Sequence, residues 1–122
     1  MDINDIKNES FLPKECMTAD TVEAFYETLI LKEAHFQNLF ASAESNQCKL
    51  KYVAEFKVGV AKVGLKEIPK GHPFYNLEGK DNIVMFYTNR YKDQPMIIKG
   101  AGAGSEVTAS GLFADIIRIS KN

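Results

Sequence analysis

Cysteine is scarce in this 122-residue chain, with two residues in all, Cys16 and Cys48. They stand far apart, outside any C-x-x-C spacing and with no histidine nearby at ligand spacing. That excludes a zinc ribbon and a dense disulfide framework. Two thiols without an export-type leader point to a reducing cytoplasm, where both read as unbridged packing residues. Charge of one sign is lacking as well. Fifteen Lys and Arg face sixteen Asp and Glu, for a net charge of −1, and no long basic run occurs. An electrostatic footprint for nucleic acid or an anionic membrane surface is therefore not expected. No apolar run approaches the roughly 20 residues of a membrane span. The start, Met1 to Lys7, is polar and acidic rather than signal-like. No zinc or calcium spacing is present, so no metal site is expected.

What is there suits a globular domain, since 45% of the residues are hydrophobic. Residues 1–17 lack periodicity, contain Pro13, and read as an extended lead-in. Thr18 is the expected N-cap of a helical region running from Thr21 to about Ser45. Val22, Phe25, Leu29, Phe36, Leu39, Phe40 and Ala43 follow one stripe there. The stripe slips at Ile30-Leu31-Lys32, leaving one bent helix and two shorter helices both open. From Lys49 the period becomes two, with Leu50, Tyr52, Ala54 and Phe56 on one side. Ala61, Val63 and Leu65 continue in the opposite phase, which places a tight hairpin or a bulge near Lys57-Val58-Gly59. Pro69 to Pro73 and Asn76 to Asn82 carry turn chemistry. Ile83 to Thr88 and Met96 to Ile98 are continuous apolar strands, a pattern that implies burial on both faces. A closing helix is expected over about Glu106–Ile119, with Ala109, Leu112, Phe113, Ile116 and Ile117 near one face. The fold class is thus α+β, a small antiparallel or mixed sheet packed on helices, ending in a strand, a glycine-rich turn and a helix.

Chemistry concentrates in that last passage. Met96-Ile97-Ile98-Lys99 leads into Gly100-Ala101-Gly102-Ala103-Gly104 and then Ser105-Glu106-Val107. A nearly bare turn before a helix lets main-chain N–H groups approach a phosphate or a flat ring. The alternative is tight packing of strand on helix. A self-contained dinucleotide fold needs a further strand after the helix and an acidic residue about 20 positions on. Only one helix fits before Asn122. His35 and His72 have no triad partner in a known pattern and read as surface or capping histidines. Glu78, Lys80 and Asp81 sit where a turn wants them, with a catalytic carboxylate pair as the sharper reading, and Lys99, directly before the turn, is placed to meet a phosphate or an acidic substrate.

The run from His72-Pro73-Phe74-Tyr75 through Asp81-Asn82-Ile83-Val84, then Phe86-Tyr87-Thr88-Asn89-Arg90-Tyr91, then Gln94 to Gly104, is similar to the C-terminal end of homoserine dehydrogenases. The likeness continues through Val107-Thr108-Ala109-Ser110-Gly111-Leu112-Phe113-Ala114-Asp115-Ile116-Ile117-Arg118 and has the flavour of the aspartokinase fusions. It is looser over Phe11–Asn46 and Lys49–Ile68. The resemblance implies an NAD(P)-dependent oxidoreductase that interconverts L-aspartate 4-semialdehyde and L-homoserine, on the route to threonine, methionine and isoleucine. It implies a Rossmann domain holding the cofactor, a sheet region that dimerises, and a last helix returning onto the nucleotide domain. Carried over by position, Gly104 is the cofactor contact, with Gly102 and Ala103 as supporting backbone.

The family's nucleotide fingerprint, its D-x-G-x-D-x-x-x-K segment with the catalytic lysine, and its monovalent-cation loop all have no counterpart here. They would lie upstream of Met1. The expectation is a truncated domain over residues 1–122: a lead-in and helical region at 1–48, a sheet and dimerisation region at 49–99, and the turn and helix at 100–122. No catalytic residue is assigned, and the chain alone is expected to be inactive. A free-standing dimerisation or scaffold module, and a small amino-acid-binding regulatory domain, are the competing readings.

Overall fold

A computed structural model describes residues 2–121. The backbone forms two compact units, one ending at Tyr75 and another beginning at Asn76. The architecture is α+β, as the sequence pattern requires.

The first unit opens with a short 3₁₀ turn at Ile3–Asp5 and a strand, β1 (Lys7–Glu9). The expected extended lead-in is therefore structured. β1 runs parallel to the later strand β3 (Val60–Pro69), with Glu9 opposite Gly64. A one-turn helix, α1 (Lys14–Met17), follows. The Thr18 hydroxyl donates to the Glu15 carbonyl at 3.2 Å, so Thr18 closes α1 and does not cap the next helix. Thr21 does that: its Oγ1 accepts from the Ala24 N–H at 3.1 Å and starts α2 (Val22–Leu31). The helical region is two helices. Lys32, at φ −102° and ψ 18°, separates α2 from α3 (Glu33–Ser45), at the point where the apolar stripe slips.

β2 (Cys48–Lys57) and β3 form an antiparallel hairpin joined by Val58 and Gly59, at φ 50° and 77°. Two consecutive positive φ values make the primed type of turn whose twist matches the strands. The register puts Tyr52 opposite Leu65 and Ala54 opposite Val63, so the two apolar phases share one face. α3 docks over the near end of that face, where Ser42 and Asn46 donate to the Glu67 carboxylate at 3.0 and 2.9 Å. Phe11, Phe36, Leu39, Phe40, Leu50 and Leu65 line an apolar depression of about 240 Å³. The opposite face carries ion pairs. Glu9 meets Lys66 at 2.5 Å, and Lys62 meets Glu55 at 3.3 Å. Cys16, Ala43 and Ile68 are the buried apolar residues among those described.

The second unit is a β-ribbon and a helix. β4 (Asp81–Phe86) pairs antiparallel with β5 (Met96–Ala101), and α4 (Ser105–Ser120) follows. The expected burial of both strands on both faces does not hold within this chain. β4 alternates half-buried and exposed, and every residue of β5 is exposed. Two strands and one helix offer too little surface to cover two sheet faces.

Candidate functional site

β5 overruns the expected turn. Gly100 and Ala101 belong to the strand, paired with Asn82 and Asp81, so the bare corner is Gly102-Ala103-Gly104 alone. Pairing wins over glycine's flexibility because β4 supplies matching partners as far as Asp81. The Gly102 N–H donates to the Lys80 carbonyl at 2.9 Å, carrying the ladder one step past the last strand pair. Among the described residues, the N–H groups of Ala103 and Gly104 meet no main-chain acceptor.

Gly104 is the N-cap of α4, at φ 124° and ψ 149°. That region is closed to residues with a Cβ, so the position needs glycine on backbone grounds alone. A Cβ there would meet the Lys80 stem at 3.4 Å, an ordinary contact. The chain's own backbone therefore accounts for glycine at 104, whatever the corner faces. Thr108 locks the corner from the helix side, with its Oγ1 and N–H donating to the Gly104 carbonyl at 3.0 and 3.1 Å. Glu106 occupies the first turn and Arg118 the last, each matched to the helix dipole.

Gly102 differs. A Cβ built on it would overlap the carboxamide nitrogen and carbon of Asn82. The absent side chain at 102 is replaced by the tip of another residue.

The Lys99 ammonium lies 3.3 Å from the Asp81 carboxylate. Asp81 therefore balances a cation across the ribbon, and its N–H donates to the Glu78 carbonyl at 3.4 Å. Lys80 lays its stem along Gly104, putting a cation beside the corner. His35 sits on α3 with Nε2 2.9 Å from the Phe11 carbonyl. His72 sits in a turn, where its Nδ1 accepts from the Phe74 N–H at 3.1 Å. Among the described residues no cluster of His, Cys, Asp or Glu is arranged to hold a metal ion. Asn82 and Lys80 were not legible as neighbours of the turn, since about twenty residues separate them from it and only the strand register joins them.

The corner can offer free N–H groups, a helix N-terminus and a nearby ammonium to one flat or anionic face of a ligand.

The homoserine dehydrogenase family profile matches residues 1–117. The chain belongs to the homoserine dehydrogenase family. Relatives include the bifunctional aspartokinase/homoserine dehydrogenase 1 of Zea mays, 37% identical over 98% of this chain and 13% of its own length. The homoserine dehydrogenase of Schizosaccharomyces pombe is 34% identical over 91% of this chain and 30% of its own length. A crystal structure of a Candida auris protein of unknown function superposes with a TM-score of 0.77 at 37% identity, covering 98% of this chain and 34% of that one. This homoserine dehydrogenase segment thus spans well under half the length of the curated relatives it matches.

Proposed function

We propose that this chain is the carboxyl-terminal portion of an NAD(P)-dependent homoserine dehydrogenase that interconverts L-aspartate 4-semialdehyde and L-homoserine. The observation that carries the reading is the family match over residues 1–117, which takes in the whole glycine corner. In this reading Gly104 borders the nicotinamide end of the cofactor, with Gly102 and Ala103 supplying supporting main chain. The free N–H groups of Ala103 and Gly104 favour it, because a ring or an anion can approach them without meeting a side chain. A separate nucleotide-binding domain holds the rest of the cofactor, and α4 packs against it. Leu112, Phe113 and Ile116 support this, since they leave an apolar stripe more than half exposed. The sheets pair two copies into a homodimer, and the protein works in the cytoplasm with Cys16 and Cys48 as free thiols.

Hydride transfer requires cofactor and substrate held in contact geometry, and this segment contributes one wall of that arrangement. The 122 residues alone are expected to give no NADPH-dependent reduction of aspartate semialdehyde. Robust turnover by the segment would refute the reading. The competing scaffold reading is separated by Gly104→Val in the homoserine dehydrogenase that carries the segment. Unchanged cofactor KM and kcat in a folded variant would favour the scaffold.

A further inference from the structure

We infer that Asn82 is a positioning residue for the cofactor corner, acting through Gly102, and that the two residues form one steric unit. The inference rests on the proposed placement of the corner beside the nicotinamide.

Asn82 lies on β4 directly opposite Gly100. Its side chain extends past that partner to the next glycine along, where its carboxamide nitrogen and carbon occupy the volume of the missing Cβ of Gly102. Gly100 needs no such accommodation, because a Cβ there would have nothing within 4 Å. Of the motif's three glycines, then, one is open, one is filled by Asn82, and one is demanded by φ.

The position of Gly102 matters because it is the last residue with a defined main-chain partner before the corner. Its N–H is fixed on the Lys80 carbonyl, and two residues later the chain turns at φ 124°. From one side the ladder holds Gly102 in the sheet plane, and from the other the Asn82 carboxamide stops the plane from rolling. A planar amide against a bare Cα sets a distance and a tilt together. Any roll of the peptide at Gly102 is carried straight to the free N–H groups of Ala103 and Gly104. A displaced corner weakens the contact it makes with the cofactor, which reads out as a higher cofactor KM. Asn82 touches neither cofactor nor substrate in this account. It sets where the corner stands.

Steric complementarity predicts a specific pattern of kinetics. Gly102→Ala puts a methyl where the Asn82 carboxamide lies and drives that exposed side chain off the corner. Asn82→Ala removes the stop and loosens it. Each single variant of the carrying homoserine dehydrogenase is expected to raise the NADPH KM about tenfold, with kcat within about threefold. The double variant removes the three clashing atoms and puts a methyl into the space they leave. It is expected to return the NADPH KM to within about threefold of the parent, better than either single. Asn82→Leu, which keeps the branched shape without adding a charge, is expected to stay near the parent. A merely structural role would lower the folded fraction, and with it kcat, while leaving KM in place.

Additive damage in the double variant, with Gly104→Val still raising the NADPH KM, would overturn the inference and leave the cofactor reading standing. If Gly104→Val and Gly102→Ala both leave that KM unchanged, the cofactor reading falls and the inference falls with it. Should Gly102→Ala fold poorly, Asn82→Ala and Asn82→Leu alone decide: equal NADPH KM for both would overturn the steric role of residue 82.

Discussion

Lys99 reaches diagonally across the β4–β5 ribbon to Asp81, Nζ to Oδ2 at 3.3 Å. Its direct partner in the ladder is Ile83, two residues further along β4. A lysine beside a glycine-rich turn invites the reading of a phosphate ligand, but this one balances a carboxylate within the ribbon. Both side chains stay substantially open to water, so the pair is worth little. Lys99→Met is expected to cost no more than about 1 kcal/mol of stability. It should leave the NADPH KM within about twofold, measured by initial rates; a tenfold rise would return Lys99 to the site.

The β2–β3 turn holds a β-branched residue where the backbone disfavours one. Val58 has φ 50° and its side chain is almost wholly exposed, so no packing compensates the strain. Val58→Asn is expected to stabilise the protein by about 1 kcal/mol, read by thermal denaturation. A loss of stability would mean that Val58 has a contact of its own.

Glu9 ties β1 to β3, and the Lys66 hydrogen bond holds its carboxyl below the ordinary value of 4.5, with further help from the charges of Lys66, Lys62 and Lys7. A carboxylate whose pKa is lowered by folding stabilises the fold fully above its ordinary value. That contribution is lost as pH falls through the lowered one. The melting temperature should therefore drop on acidification below about pH 4.5, and Glu9→Gln should flatten part of that slope. Identical acid profiles for variant and parent would show that β1 is held by its backbone pairing alone. Glu15, lowered in the same way by Lys32, adds to the same acid-side loss.

Phe113 is 65% exposed on α4, beside Leu112 and Ile116, which are also exposed. If the proposed nucleotide-binding domain covers this stripe, Phe113→Ala in the carrying enzyme removes a buried ring. A loss of about 3 kcal/mol is then expected, seen as a lower melting temperature. A change within about 0.5 kcal/mol, the usual effect of a surface substitution, would leave α4 facing solvent.

Much of this fold was legible because local chemistry and tertiary structure agree. The phase change beside Gly59 located the hairpin, the slip at Ile30–Lys32 marked the helix break, and the apolar stripe from Ala109 to Ile117 marked α4. β1 was not legible. Lys7-Asn8-Glu9 has no apolar alternation, and its strand exists only because β3 lies alongside, more than fifty residues away. Thr18 and Thr21 are equivalent as capping residues in sequence, and the short helix α1 decides between them by taking Thr18 as its end. The continuous apolar strands signalled burial on both faces, and the ribbon of β4 and β5 does not reach it, because one hairpin and one helix cannot cover two sheet faces. At the corner, the glycines were legible as a group, but their separate reasons were not. Strand register assigns Gly100 to the ladder and brings Asn82 to Gly102, and register is a property of two strands together.

The overlap between Asn82 and any side chain at position 102 also gives this corner a direction of change over descent. A lineage that first shortens residue 82 opens room for alanine at 102 afterwards. The reverse order must first swing the exposed Asn82 tip out of that volume. Among family members the two positions should therefore vary together, with small residues at 82 wherever 102 has gained a methyl.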